Sequence, residues 1–152
     1  MFKRLALFIL LFVLLFSFPM QAFATSKAEA DDTIYFEDGS YITITTIEFE
    51  TRASGSKSAQ RNYSYTTSNG DVCWKATLTG SFTYNGTSAT CTSSSCDVTI
   101  YESAYYVVSK SAGKSGNTAT ATVTMGRKLL GITISKDTYN LSLSCDANGN
   151  LS

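Results

Sequence analysis

A strict alternation of apolar and polar side chains runs from Val72 to Asn85 and constrains the fold more than any other feature. Trp74, Ala76, Leu78, Gly80, Phe82 and Tyr84 alternate with Lys75, Thr77, Thr79, Ser81 and Thr83. A period of two places one set on the core face of a β-strand and the other set on the opposite face. The following Asn85-Gly86 favours a two-residue hairpin turn, which pairs Tyr84 with Thr87 and places Cys91 on the core face.

The rest of the chain also favours strands. Thr, Tyr, Phe, Val and Ile are abundant, the single proline is Pro19, and no segment beyond it shows the 3.6-residue period of a helix. Asp38-Gly39 marks a second hairpin turn, whereas Ser111–Asn117 has the composition of a loop. The sequence predicts an all-β fold, an antiparallel β-sandwich of about 7–9 strands that is immunoglobulin-like or jelly-roll-like, with a barrel as the alternative.

The first residues have the layout of a signal peptide. A basic start, Met1–Arg4, precedes an apolar run from Leu5 to Phe16, and Ala22-Phe23-Ala24 is a small-x-small cleavage site. The apolar run is shorter than the about 20 residues of a spanning helix. We therefore expect a signal peptide over residues 1–24 and a secreted protein, extracellular or associated with the cell wall, with no stable membrane insertion after cleavage.

The remainder has the size of one domain, with a flexible N-terminal segment over 25–32 and a single β domain over 33–152. It keeps ten of the twelve Lys and Arg and all twelve Asp and Glu, so its formal charge is −2. No basic surface for nucleic acid is expected from this balance.

Four cysteines in an exported chain predict two disulfides. Cys91 and Cys145 share the predicted core face, which favours Cys91–Cys145 together with Cys73–Cys96. The alternative is Cys91–Cys96 with Cys73–Cys145. The chain has no histidine, and the cysteine spacings are not those of zinc sites, so we expect no metal and no cofactor.

The absence of histidine also removes Ser-His-Asp and Cys-His catalysis, and no catalytic residue is assigned. An enzyme is therefore not the expected class. A small hydrolase with paired carboxylates is the alternative that stays open. The candidate carboxylates are Glu48, Glu50, Asp71, Asp97, Glu102 and Asp137.

Two pairs of tyrosines are candidate ligand-binding residues. Tyr63 and Tyr65 share one face of a predicted strand, and Tyr105 and Tyr106 adjoin another strand. Exposed aromatic rings of this kind bind sugar rings, although the same residues also supply core packing. We expect an extracellular or cell-wall-associated binding module, with an extracellular glycan or wall component as the partner class. A secreted toxin or bacteriocin-like factor is a further alternative.

Three stretches, Trp74–Gly86, Cys91 and Cys145–Ser152, resemble those of small secreted proteins of Gram-positive bacteria that carry a domain of unknown function. The resemblance covers about residues 60–152. The resemblance implies a Cys91–Cys145 disulfide, and it implies no particular activity.

Overall fold

The computed structural model describes residues 30–49 and 55–152, which form eight antiparallel β-strands and no helix. No described segment is a helix with the length and apolarity that a membrane crossing requires. The strands are β1 (Ala30–Tyr35), β2 (Tyr41–Phe49), β3 (Ser56–Thr66), β4 (Val72–Tyr84), β5 (Ala89–Ile100), β6 (Tyr105–Ser115), β7 (Thr118–Leu129) and β8 (Ile132–Ser144).

The N-terminal boundary of the sheet differs from the expected one. Residues 1–24, predicted as a signal peptide, and residues 25–29 lie outside the described residues. Asp31 and Asp32 belong to β1, because Asp32 pairs with Ile44 of β2. The prediction that the flexible segment extends to residue 32 is therefore wrong at its C-terminal end, where strand pairing satisfies the backbone.

The strands form two sheets, in the orders β1-β2-β3-β4-β5 and β6-β7-β8. Two separate sheets confirm the sandwich rather than the barrel. Each strand pairs with the next one along the chain, so both sheets are meanders. This order differs from the Greek-key crossovers of immunoglobulin and jelly-roll folds.

The alternating face of β4 is the centre of the core. Trp74, Leu78 and Phe82 are at most 1% exposed and pack toward the other sheet. There they face small residues of β7, such as Ala119, and the buried leucines of β8. Full burial of a Leu or Phe side chain stabilises a fold by about 1.5–3 kcal/mol, so this face holds the two sheets together.

The hairpin between β4 and β5 has a longer loop than predicted. Tyr84 pairs with Ala89 rather than Thr87, and Cys91 lies opposite Phe82. The Asn85 side chain accepts hydrogen bonds from the N–H groups of Thr87 and Ser88, at 3.0 and 2.9 Å, and stabilises a four-residue loop. The register shift is an even number of residues, so Cys91 still faces the core, as predicted.

Candidate functional site

Aromatic side chains from both sheets meet at one end of the sandwich. Tyr65 of β3 lies directly opposite Trp74 of β4, and their rings stack with centroids 5.5 Å apart. Tyr139 of β8 packs against Trp74 at 4.9 Å, and Tyr105 of β6 packs against Tyr65 at 5.8 Å. Such ring pairs stabilise by about 0.5–1.5 kcal/mol beyond their burial, so the cluster holds its members in fixed positions.

These aromatic residues line two adjoining depressions between the sheets, which we call the aromatic cleft. One has a volume of about 260 Å³ and the other of about 560 Å³. Asp38, Tyr65, Asp137 and Tyr139 line both. The smaller depression is completed by Trp74, Tyr105, Met125, Gly126, Arg127 and Ser135. The larger one is completed by Phe36, Glu37, Ser40 and Thr138.

Charged groups surround the aromatic rings of the cleft. The Asp38 carboxylate accepts hydrogen bonds from the backbone N–H of Ser40 at 3.0 Å and from its hydroxyl at 2.6 Å. These bonds hold the pKa of Asp38 below its ordinary value, so this carboxylate is ionised at neutral pH. Asp137 is exposed beside it, and the Arg127 guanidinium lies 5.7 Å from the Tyr105 ring centre. The cleft therefore offers hydrogen-bond acceptors and a donor around an apolar surface.

Two tyrosines of the cleft stay protonated at neutral pH. Burial, followed by the negative charge of Asp137, raises the pKa of Tyr139 to about 12. Burial also raises the pKa of Tyr105, whose hydroxyl meets the Cys73 thiol. Both phenols are therefore neutral, and because the Tyr105 hydroxyl is engaged by Cys73, the Tyr139 phenol is the hydrogen-bond donor of the two that faces the cleft.

Of the four tyrosines predicted as ligand-binding residues, the structure places Tyr65 and Tyr105 in the cleft and the other two elsewhere. Tyr63 is 9% exposed, and its hydroxyl donates to the Ser142 carbonyl at 3.2 Å. Tyr106 lies on the opposite face of its sheet, where its hydroxyl bonds that of Thr133 at 2.8 Å. Consecutive residues of a strand point to opposite faces, so Tyr105 and Tyr106 do not line one surface.

Most cleft residues are not predicted as binding residues by the sequence, and the ones with the most chemistry to offer are Trp74, Asp38, Tyr139 and Arg127. Trp74 was assigned to the core, and Asp38 to a turn. Tyr139 has the same parity as the buried Leu141 of its strand, which is a signal that it faces inward. No local pattern distinguishes Arg127 from the other scattered cations.

The carboxylates proposed for a hydrolase do not converge. Of those described, only Asp137 lines the cleft. Glu48 pairs with Lys57 at 2.9 Å and Asp97 with Lys110 at 3.1 Å. Glu50 lies outside the described residues, and Asp71 and Glu102 are exposed and line no part of the cleft. Within 30–49 and 55–152, no three Cys, Asp or Glu side chains are placed to hold a metal ion.

No disulfide joins the four cysteines in the structure. Cys96 lies opposite Leu78, five residues along β4 from Cys73. Five residues of strand span about 16 Å, whereas disulfide-bonded Cα atoms lie within about 7 Å. The predicted Cys73–Cys96 pair is therefore wrong. Cys91 and Cys96 both lie on β5 and are also five residues apart. The alternative Cys91–Cys96 pair is therefore excluded for the same reason.

The other half of the alternative, Cys73–Cys145, is also wrong. Trp74 contacts Tyr139, and six further residues, or about 20 Å of strand, separate Tyr139 from Cys145. Cys91 and Cys145, in contrast, lie at the same turn. Their backbone N–H groups donate to the carbonyls of Gly116 and Asn117, at 2.8 and 3.1 Å.

No protein-family profile, curated protein or solved structure matches the chain. The function is therefore inferred from the residues of the cleft.

Proposed function

We propose that the protein is an exported binding module that holds an extracellular or cell-wall glycan in the aromatic cleft. The observation that carries this proposal is the convergence of Tyr65, Tyr105 and Tyr139, packed around Trp74, with Asp38 and Asp137 at the same opening. The C–H bonds of a sugar ring are attracted to the negative faces of aromatic rings. Sugar hydroxyls donate charge-assisted hydrogen bonds to carboxylates.

A paired-carboxylate hydrolase is the second candidate, because Asp38 and Asp137 line one cleft. Glycoside hydrolysis needs one carboxyl that is protonated at working pH, which requires a raised pKa. The hydrogen bonds from Ser40 lower the pKa of Asp38 instead. A lowered pKa excludes Asp38 as the acid and is compatible with Asp38 as the nucleophile, so the fate of the fragment separates the two candidates.

Export is proposed from the signal-peptide layout of residues 1–24 and from the resemblance to small secreted proteins of Gram-positive bacteria. We also propose that a Cys91–Cys145 disulfide closes after export. The two cysteines are buried and are bound to consecutive residues of one turn. An extracytoplasmic thiol oxidant takes two electrons and two protons from the two thiols as the S–S bond forms.

Calorimetric titration of the exported protein with soluble wall fragments tests the glycan proposal. The probes are muropeptides, teichoic acid and chito-oligosaccharides. Asp137→Asn removes a charged acceptor, so we expect about tenfold or greater loss of affinity for the fragment that binds, since hydrogen bonds to charged groups contribute about 1.5–3 kcal/mol. Asp97→Asn is the matched control, because it neutralises an exposed carboxylate outside the cleft.

Equal affinity of the Asp137→Asn and Asp97→Asn proteins contradicts glycan binding in the cleft. Mass spectrometry of the recovered fragment separates the two candidate functions. A module leaves the fragment intact, whereas shortening that stops in Asp38→Asn identifies a hydrolase.

A further inference from the structure

The hairpin between β7 and β8 ends in a concentration of exposed apolar side chains. Leu129, Leu130, Ile132 and Ile134 are 60%, 95%, 70% and 50% exposed. Tight turns usually carry small polar residues, because an exposed apolar tip promotes association with other molecules or surfaces. We call residues 129–134 the hairpin tip.

The backbone of the hairpin tip is strained at its most exposed residue. Leu129 pairs with Ile132, and the loop residues Leu130 and Gly131 both have positive φ, 50° and 81°, as in a type I′ turn. Within the described ranges Leu130 is the one residue other than glycine with positive φ. Side-chain sterics disfavour leucine in this conformation, and such outliers cluster at functional sites.

The other turns of the molecule avoid this strain. Asp38, Asn69, Asn85 and Asn148 each precede a glycine with positive φ, and each is polar. Asn in place of Leu130 suits both the turn geometry and the exposure to solvent. The fold alone therefore gives no reason for a leucine at this position.

Cations surround the base of the hairpin tip. The Lys128 amine lies 4.6 Å from the Tyr106 ring centre, and Arg127 lies over Tyr105 on the other face of the sheet. Lys136 is opposite Gly126, which is itself opposite Tyr106. The sequence contains no Asp or Glu from Arg127 to Lys136. An apolar tip, a cationic base and a tyrosine beside the cations together match the boundary between acyl chains and anionic headgroups.

We propose that the hairpin tip docks on an anionic phospholipid membrane. The leucines and isoleucines enter the headgroup region, and Lys128 and Lys136 contact lipid phosphates. The tip is shorter than the about 9–11 residues of a spanning strand, so it lies on the membrane surface and does not cross it. This surface differs from the one proposed for glycans and adds a second binding function.

Vesicle cosedimentation of the exported protein tests the docking. We expect binding to phosphatidylglycerol/phosphatidylcholine vesicles that weakens with salt, and little binding to phosphatidylcholine alone. Leu130→Asn should reduce the partition coefficient about tenfold, because it removes the most exposed apolar side chain from the contact. Loss of one cation in Lys128→Gln or Lys136→Gln should reduce it about fivefold at low salt.

The variant and its control distinguish docking from unfolding. Asn-Gly is a favoured type I′ pair, so Leu130→Asn should unfold at the same or higher denaturant concentration than the parent protein. Phe49→Ser is the matched control, because Phe49 is an exposed apolar residue at the end of β2, in the other sheet, where it pairs with Ser58 of β3. We expect its vesicle binding to be unchanged.

Three results overturn the proposal: no binding to anionic vesicles, equal binding by Leu130→Asn and the parent, or a dimer that Leu130→Asn dissociates. The last result identifies a second copy of the chain as the occupant of the hairpin tip. Asp137→Asn should retain vesicle binding. Fragment titration therefore reports failure of the glycan proposal, and vesicle cosedimentation reports failure of membrane docking.

Discussion

The single residue Gly80 determines how closely the two sheets approach each other. A Cβ at this position lies 2.7 Å from the Phe82 ring and 3.0 Å from the Ala119 Cβ on the opposite sheet. Protein interiors are close-packed, so neither neighbour has space to retreat. The absent side chain therefore lets Phe82 fill the space between the sheets.

Gly80→Ala should destabilise the protein by about 1–3 kcal/mol, as overpacking of a core does. Urea unfolding measures the change. Gly113→Ala is the control, since its Cβ meets only the Thr120 hydroxyl, at 3.3 Å, on an exposed strand. Equal midpoints for the two variants contradict the described core.

Side-chain chemistry identified part of the site. Tyr65 and Tyr105 are recognisable from the sequence as aromatic residues on strands. Asp38 comes from the turn between β1 and β2, whereas Arg127 and Tyr139 come from β7 and β8 of the other sheet, and Asp38 meets them only because the two sheets pack together. Parity along β8 predicts that Tyr139 faces inward, but no local pattern in the sequence shows which residues of the two sheets face each other, so the assembly of the cleft was not predictable.

At the scale of elements, strand positions followed from alternation and the Asp38-Gly39 turn formed as predicted, whereas the other turns differed from their predictions. β4 matches the alternating stretch. Ser111–Asn117 is expected as a loop, but residues 111–115 continue β6, where Gly113 pairs with Thr120, and only Gly116 and Asn117 form the turn. Asn85-Gly86, the stronger turn signal, forms a longer loop because Asn85 caps it. The type I′ turn forms at Leu130-Gly131, where residue preference predicts none.

Strand ends place Cys91 and Cys145 beside one turn, where their backbone N–H groups bind the carbonyls of Gly116 and Asn117. The proposed Cys91–Cys145 disulfide should stabilise the exported protein by about 2–4 kcal/mol. Intact mass should rise by about two hydrogens on reduction, and Cys91→Ser should lower the unfolding midpoint more than Cys96→Ser. A mass unchanged by reduction, or an increase of four hydrogens, is inconsistent with one disulfide.

The whole molecule places its chemistry at one end. Arg127 and Ser135 line the aromatic cleft, and the hairpin tip begins two residues beyond Arg127. A module docked on a membrane through this tip holds the cleft close to the membrane surface. Glycans attached to or near that surface are therefore the partners that the arrangement favours.

Fluorescence of Trp74 tests glycan binding in the cleft most directly, because Trp74 is the sole tryptophan and lines the cleft. Wall fragments are added to the exported protein, and emission is followed to saturation. Our account predicts that the emission of the parent protein changes and then saturates. In Asp137→Asn, about tenfold or more fragment should be needed to reach half of that change. Saturable binding by calorimetry with unchanged Trp74 emission, or no binding of any fragment, contradicts it.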